Sequence, residues 1–412
     1  MRYSFAVVLS VVFMLQVHAA PQVSSVSVTP SADSPRIAVS YQLSADAVVT
    51  VRFRLGDELI PANRSVWVGG DVNEKVSATT GTDVRTLYWA PDKEDWGESG
   101  PPSLANVKAV VTAWSPDAPP DYLVADLMAT NCVRYYASAD ALPGGISNAV
   151  YKTSKMVFRK IPAQDVVWKM GLVGADNGSI RPFRKNKLTA DFYLGVYAVT
   201  QGQSLLFAGH RGGGKDSWKT AEDSPRRPVS GLTFLQLLGA NDAFVPSASS
   251  DVGKFRALTG LSAATLPTEA QWEYACRAGS ADHAYWGDTI SASESGKYAW
   301  VSTNLSGDEQ RPHEVGLLLA NGYGLYDMLG NVCECCLDYH GKLDGDTTNI
   351  AENFVQTTKP DSGKRVMKGS CYAYDIWNAR TAYYFGGGLG TGTGLSGGYE
   401  CGYRLAIPLA AQ

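Results

Sequence analysis

Charged residues are scarce in this sequence. Asp, Glu, Lys and Arg together make up 18% of the 412 residues, and the formal net charge is −4. Such a balance provides no basic face for a nucleic acid, so we predict no nucleic-acid partner. Because 45% of the residues are hydrophobic, the composition is that of a folded chain rather than a disordered one. A chain of this length is expected to form two domains.

Long hydrophobic runs are absent beyond the N-terminus. The run at residues 5–15 is apolar except for Ser10, and it is shorter than the roughly 20 residues that a membrane-spanning helix needs. Arg2 precedes the run and small residues follow it at 17 and 19, which is typical of a cleaved secretory signal. We therefore predict a signal peptide at residues 1–19. The mature protein is expected to have no membrane span and to be secreted, periplasmic or on the cell surface.

Cysteine is too sparse for a disulfide-dense scaffold. The chain has seven cysteines, and the odd number leaves at least one without a partner in the chain. Three of them, Cys333, Cys335 and Cys336, surround Glu334 in the stretch GNVCECCLDYH. This CxCC pattern lacks the two paired CxxC motifs of a structural zinc site. In an exported protein, however, disulfides would persist.

Short β-branched or alternating runs, separated by turn-forming clusters, occupy residues 21–130. The runs are VSSVSV (23–28), IAVSYQL (37–43), VVTVRFR (48–54), SVWVG (65–69), TLYWA (86–90), VKAVVTAW (107–114) and YLVADL (122–127). Strands at this spacing predict an antiparallel β-sandwich of the immunoglobulin or fibronectin kind. Residues 131–155 are interpreted as a linker, and a second domain is predicted at 156–408.

Helical signals in the second domain are few. The segment LPTEAQWEYACRAG at 266–279 begins with Pro267 and Thr268, and it places Trp272 and Cys276 four residues apart on one helical face. Another helix is predicted around 201–208, after Thr200. The expected fold class is α+β, with a β-sandwich followed by an irregular mixed domain.

Six ordered motifs in the second domain resemble those of the formylglycine-generating enzyme family, also called the sulfatase-modifying factor family. They are FYLGVYAVT (192–200), LPTEAQWEYACRAG (266–279), AYWGD (284–288), NGYGLYDMLGNVCEC (321–335), RVMKGSCY (365–372) and CGYRLA (401–406). The resemblance spans roughly residues 156–408 and leaves the N-terminal region outside. It implies an irregular α+β fold of the C-type-lectin-like kind.

The resemblance also implies where a catalytic copper ion would be held. Family enzymes oxidise a sulfatase cysteine to an aldehyde with oxygen and Cu(I), which two cysteines bind in a C-x4-C arrangement after the GGS turn. Thiolates are suitable ligands for this soft ion. Here the corresponding segment is GSCYAYDIWNAR, in which Cys371 is the one cysteine and Ile376 stands five residues on. The copper pair is therefore missing, and Cys371 is the one catalytic candidate.

A calcium site is the second implication of the resemblance. Carried over residue by residue, Asp327 and Glu334 would supply side-chain oxygens, and Gly330 and Val332 would supply backbone oxygens. Calcium accepts six to eight such hard ligands. The alternative interpretation is that Asp327 and Asn331 shape a turn and that Glu334 makes a local hydrogen bond.

Two of the clustered cysteines occupy the tryptophan positions of the family's "WEW" signature. On a strand, Cys333 and Cys335 would point to the side opposite Glu334. We expect them to be core residues, because thiols are often buried. The alternative is a disulfide from this strand to Cys371 or Cys401, which would require Cα atoms closer than about 7 Å.

The sequence leaves three functional hypotheses open. The first is an exported, non-catalytic binding protein with a structural calcium ion, whose protein or small-molecule ligand is unknown. The second is a copper- or thiol-dependent oxidoreductase acting on protein cysteine, with a site rebuilt from Cys371 and Cys401 or from Cys333 and Cys335. The third is a lectin-like protein that displays a ligand-binding surface on residues 370–402, a segment with the aromatic residues Tyr372, Tyr374, Trp377, Tyr383, Tyr384 and Tyr399.

Overall fold

The computed structural model describes residues 19–30, 35–100, 103, 106–172, 179–213, 224–240, 242–343, 345–387 and 400–411. The predicted signal peptide therefore lies outside the described residues except for its last residue, and so does Tyr399. Across the described ranges, no helix combines the length and the apolar character needed to cross a membrane.

The described residues of the first part of the chain form eight strands. They are β1 (Val23–Pro30), β2 (Ile37–Leu43), β3 (Ala47–Leu55), β4 (Glu58–Leu59), β5 (Val68–Gly70), β6 (Lys75–Val76), β7 (Arg85–Trp89) and β8 (Val107–Trp114). One antiparallel sheet has the order β1-β2-β7-β5, and a second is built on β3, with which β4, β6 and β8 all pair. The two sheets therefore divide these strands between them.

A single apolar core joins the two sheets. Strand β2 alternates buried and half-buried residues along its length, as a strand with one face on a core does. Phe53 on β3 stacks on Trp89 on β7 with ring centroids 4.2 Å apart, so side chains from the two sheets meet directly. The immunoglobulin- or fibronectin-like assignment of this unit stays a prediction.

In its described residues, the second part holds twelve strands and five helices. The strands are β9 (Tyr122–Asp126), β10 (Val133–Tyr136), β11 (Lys155–Ile161), β12 (Val166–Met170), β13 (Arg184–Leu188), β14 (Phe192–Gly195), β15 (Cys333–Tyr339), β16 (Asp346–Glu352), β17 (Arg365–Lys368), β18 (Tyr384–Gly387), β19 (Cys401–Gly402) and β20 (Ala406–Pro408). The helices are α1 (Gln201–Phe207), α2 (Phe234–Leu238), α3 (Asp251–Thr259), α4 (Glu269–Arg277) and α5 (Ala292–Ser295). This mostly-sheet content with few helices confirms the α+β class.

Three sheets organise these strands. Their orders are β10-β9-β11-β14-β20, β12-β13-β16 and β18-β17-β15-β19. The run at 122–127, which the sequence analysis assigned to the sandwich, is β9 and pairs with β11. Residues 131–155, interpreted as a linker, contain β10, which pairs with β9. The first difference arises because a sequence pattern identifies a strand but not the strand beside it, and the second arises because Val133–Tyr136 was not recognised as a strand.

Helix α4 forms where the sequence predicts a helix. Thr268 accepts a hydrogen bond from the backbone of Gln271, and the Gln271 side chain accepts one from the backbone of Thr268. This reciprocal cap satisfies two of the amides that have no partner inside the helix. Trp272 and Cys276 are both fully buried in one apolar cluster, as their spacing predicts. The cap therefore determines where α4 begins, and α4 contributes Trp272 and Cys276 to the apolar core.

Candidate functional site

Strand β15 is the centre of the candidate site. It carries the CECC stretch, and all seven of its residues are buried. It lies between β17, with which it pairs antiparallel, and β19, with which it pairs parallel. Because successive side chains on a strand point to opposite faces, Glu334 and Cys336 face one side and Cys333 and Cys335 face the other.

Glu334 is held by a buried arginine. The Arg404 guanidinium donates from Nε to both carboxylate oxygens at 3.1 and 3.0 Å, and from Nη2 to Oε1 at 2.8 Å. Trp272 on α4 donates from Nε1 to Oε2 at 2.7 Å. Arg404 also donates to backbone carbonyls of residues 195, 196 and 326. Such a pair is tolerated in a core because every donor has an acceptor.

Asp327 has a different environment. Its Oδ2 accepts from the backbone amide of Gly316 at 2.7 Å, whereas Oδ1 is buried and has no hydrogen-bond partner among the described residues. Burial raises the pKa of the carboxyl to about 6. Asp327 and Asn331 both adopt positive φ, at 53° and 61°, so they do shape the turn that leads into β15.

The backbone around Gly330 is tightly packed. A side chain there would place its Cβ 2.6 Å from the carbonyl oxygen of Trp300, and φ is +83°, so only glycine fits. The Asn331 amide donates to the same Trp300 carbonyl at 2.8 Å. The Asn331 side chain is fixed by two hydrogen bonds to the backbone of His313. The turn is therefore held by hydrogen bonds and close packing within the chain.

The two predicted calcium ligands with side-chain oxygens, Asp327 and Glu334, differ in how those oxygens are already bound. Glu334 is bound by Arg404 and Trp272, and a cation beside its carboxylate would have to displace the guanidinium. Within the described ranges, no group of three or more His, Cys, Asp or Glu residues is placed to hold a metal ion. Among the described residues, Asp327 Oδ1 is the side-chain oxygen of the predicted set for which no hydrogen-bond partner within normal distance and angle is found. Calcium binding stays a prediction.

Sulfur atoms gather on the other face of β15. The Cys333 and Cys401 Sγ atoms are 4.0 Å apart, and Cys401 Sγ is 3.6 Å from Met367 Sδ. Cys371 is buried in the same apolar cluster. We call these four residues, Cys333, Met367, Cys371 and Cys401, the sulfur cluster. Burial raises the pKa of the Cys333 thiol well above its usual value. All seven cysteines lie in the described part of the chain, and each is a free thiol in this structure.

Of the cysteine pairs weighed from the sequence, Cys333 and Cys401 lie close together as free thiols. Cys335 belongs to another apolar cluster, which includes Tyr403, and Cys336 packs in the cluster of Trp272. The sequence analysis named Cys401 as a partner for this strand, and it is Cys333 that comes near it. The thioether of Met367 was missed, since nothing in the sequence places it beside Cys401.

Position 376 is part of the apolar core. Ile376 is buried in the cluster of Trp272, and it begins a short 3-10 turn at Ile376–Asn378. Its backbone amide donates to Thr303 Oγ1 at 3.1 Å. Cys371 packs in a different cluster with Met367. The residue that stands where a second copper ligand would be sought therefore faces away from the sulfur cluster.

The aromatic residues of segment 370–402 divide into core and surface. Tyr372 and Tyr384 are buried. Trp377 is 58% exposed, and the Arg380 guanidinium lies 4.9 Å from its ring centroid. Tyr374, Tyr383 and Phe385 are half-buried, and Phe385 contacts both tyrosines, so Trp377 is the most exposed aromatic residue in the described part of this segment.

Charged residues of α4 form a second buried network that sequence reasoning missed. Lys368 on β17 contacts Glu273 at 3.0 Å and Glu269 at 3.6 Å, and Arg181 binds Glu269 at 2.7 Å. Burial alone would raise the pKa of Glu273, but Lys368 and Arg277 lower it below its usual value. Glu269, Glu273 and Lys368 lie in motifs that the sequence analysis quoted, whereas Arg181 lies in none of them, and the pairings of Lys368 and Arg181 with the helix are long-range.

The described domain is an irregular α+β domain in which α4, β15 and the C-terminal strands share a buried network of charges. Residues 159–406 match the Sulfatase-modifying factor enzyme 1-like domain. The match covers more than half of the chain, and the chain belongs to this family.

Individual relatives resemble only parts of the chain. A "Chaperone protein LppX" of Paenibacillus barcinonensis is 24% identical over 246 residues, which are 51% of this chain and 81% of that protein. The formylglycine-generating enzyme of Mus musculus is 34% identical over 116 residues, which are 26% of this chain and 30% of the enzyme. The solved structure "Treponema denticola variable protein 1" aligns with a TM-score of 0.45 at 22% identity, over 61% of this chain and 95% of that one.

Proposed function

We propose that this chain is an exported protein whose formylglycine-generating-enzyme-like domain binds a partner instead of oxidising a cysteine. The observation that carries the proposal is the separation of Cys371 from position 376. Cys371 packs with Met367 in the sulfur cluster, and position 376 is a buried isoleucine in the core beneath α4. A two-thiolate copper site needs both sulfurs on one ion, and these two positions lie in different clusters.

Two further observations support a binding role. One relative, 24% identical to this chain, carries the name chaperone protein. The exposed Trp377 and the half-buried Arg380 beside it offer a planar aromatic surface with a cation, and such residues are frequent at binding hot spots. In this proposal the N-terminal unit is an immunoglobulin-like sandwich that acts as a spacer or interaction module.

A structural calcium ion is a separate part of the proposal. Its support is the unpartnered Oδ1 of Asp327 beside the turn at Gly330 and Val332. Isothermal titration with Ca²⁺ after treatment with EGTA tests it, with Asp327→Asn as the variant that should lose binding. Absence of heat in the wild-type protein would remove calcium from the account and leave the binding role untouched.

The experiment that tests the absence of catalysis is an aldehyde assay. The purified full chain is incubated with Cu(I), oxygen and a sulfatase-type cysteine peptide, and a formylglycine-generating enzyme serves as the positive control. We expect no aldehyde from this chain. Aldehyde formation at a rate comparable to the control would overturn the proposal and favour the oxidoreductase hypothesis.

A further inference from the structure

Three thiols meet at the base of one segment of the second domain. Cys371 follows β17, Cys401 begins β19, and Cys333 begins β15, which pairs with both of these strands. The two ends of the segment from Cys371 to Cys401 therefore both lie beside the first residue of β15, Cys333. The C-terminal end of this segment lies in β19, a strand of only two residues, Cys401–Gly402.

Cys333 and Cys401 are neighbours in the sheet. They are direct partners in the parallel pairing of β15 and β19. Adjacent strands lie about 4.8 Å apart, which falls within the Cα separation of about 4.4–6.8 Å that disulfides span. Their sulfurs are already 4.0 Å apart. Rotation of the two side chains, with a small local adjustment, would therefore suffice to bring the sulfurs to bonding distance.

The surroundings permit this rotation. Cys401 Sγ touches the sulfur of Met367 at 3.6 Å, and methionine is a flexible side chain that can yield. The Cys333 thiol donates to the backbone carbonyl of Glu400 at 3.1 Å, a contact beside the partner strand. Cys401 is the most accessible of the three thiols, at 7% exposed.

The remaining cysteines are placed differently. Cys335 lies in the cluster that includes Tyr403, and Cys276 and Cys336 lie in the cluster of Trp272. Cys132 is partly exposed near the junction of β9 and β10. These four belong to other parts of the fold, so they serve as internal comparisons for the reactivity of the Cys333 and Cys401 pair.

We propose that Cys333 and Cys401 form a disulfide site, closed by exchange with a small-molecule disulfide such as glutathione disulfide. The Cys401 thiolate attacks one glutathione sulfur, which forms a mixed disulfide and releases one glutathione thiolate. The Cys333 thiol then loses its proton and attacks the Cys401 sulfur, which releases the second glutathione. Two protein thiols lose two electrons and two protons, and one glutathione disulfide becomes two thiols.

The bridge would tie the C-terminal end of segment 371–401 to the central strand. The Cys333–Cys401 disulfide can form whether or not the domain binds a ligand. Failure to find this disulfide is therefore distinguishable from failure of the proposed binding function. Because only the thiolate attacks and burial raises the pKa of Cys333, ring closure accelerates as pH rises. A disulfide here also suits the oxidising compartment that the predicted signal peptide implies.

Peptide mapping tests the proposal on the purified full chain. The protein is reduced, freed of reductant, incubated with glutathione disulfide, alkylated and digested without reductant. We expect a peptide pair joined through Cys333 and Cys401, a loss of two titratable thiols, and a Tm higher by roughly 5 °C than that of the reduced protein. Cys333→Ser and Cys401→Ser should each abolish this pair, and Cys371→Ser should retain it.

Cys276→Ser is the matched control, because it removes a buried thiol in another cluster and should leave the bridge intact. Circular dichroism confirms that each variant is folded, and the wild-type thiol count gives a result that needs no variant. Full alkylation of Cys333 and Cys401 after oxidation would overturn the proposal. So would a bridge that consistently joins Cys333 to Cys371 in its place.

Discussion

The two faces of strand β15 are both buried and yet differ in chemistry. On one face, Glu334 is ion-paired with Arg404 and hydrogen-bonded to Trp272. On the other, Cys333 lies with Cys401 and Met367 among apolar side chains. On the charged face each donor points at an acceptor. Removing one partner therefore leaves a buried charge without compensation. The sulfur face depends on shape and volume, so it tolerates exchange of similar groups.

This comparison also bears on function. The charged face is built from the motifs that resemble the family, including LPTEAQWEYACRAG and CGYRLA. The sulfur face is where cysteine stands at a tryptophan position of the family signature. The sulfur face also draws on these motifs, since Cys401 opens CGYRLA, so the two faces differ in side-chain chemistry.

Removing Arg404 should have the largest effect. Arg404→Met leaves the buried Glu334 carboxylate without its cation, and we expect unfolding free energy to fall by about 3–5 kcal/mol. Urea denaturation measures the change. Lys297→Met is the control, since it breaks an ion pair at the surface and should cost less than about 1 kcal/mol. Equal costs for the two variants would contradict the account of the charged face.

Trp272→Phe should have the next largest effect. It removes the Nε1 donor to Glu334, a hydrogen bond to a charged group, at an expected cost of about 1.5–3 kcal/mol. Trp168→Phe is a matched control, because Trp168 packs against the same cluster and its Nε1 has no hydrogen-bond partner among the described residues. If the Trp168 variant is as destabilised as the Trp272 variant, the loss of stability comes from packing and not from the hydrogen bond.

Asp338 should make stability depend on pH. Burial and the nearby Glu269 raise the pKa of its carboxyl to about 7, so the folded state favours the protonated form. Its contribution is complete below the usual aspartate pKa near 4 and is lost as pH rises through 7, with a slope of at most about 1.4 kcal/mol per pH unit. Asp338→Asn should flatten this decline, measured by denaturation between pH 4 and 8. An unchanged profile would mean that Asp338 is ionised throughout.

Met367→Leu should have the smallest effect. The exchange keeps an apolar side chain of similar volume beside Cys401, and we expect a cost below about 1.5 kcal/mol by urea denaturation under reducing conditions. A loss as large as that of Arg404→Met would erase the difference between the two faces of β15.

Local features could be predicted from the sequence, whereas long-range pairings could not. Thr268 and the spacing of Trp272 and Cys276 fixed helix α4, because caps and helical periodicity are local. The run at 122–127 was correctly identified as a strand but was assigned to the wrong sheet. A strand pattern does not name its partner.

The candidate site divides in the same way. Motif resemblance directed attention to Glu334, but its partner Arg404 is 70 residues away along the chain and was not foreseen. The proximity of Cys401 to the CECC strand was one of two alternatives, since cysteine spacing does not determine connectivity. The prediction that the copper pair is missing, by contrast, rests on a local feature, the isoleucine at position 376.

Aldehyde formation measured on the wild-type chain and on Ile376→Cys tests the central claim most directly. The substitution recreates the C-x4-C spacing with Cys371, but the structure places position 376 in the core beneath α4 and Cys371 in the sulfur cluster. The account predicts no aldehyde from either protein with Cu(I), oxygen and a sulfatase-type peptide. Sustained turnover by the wild-type chain would contradict it.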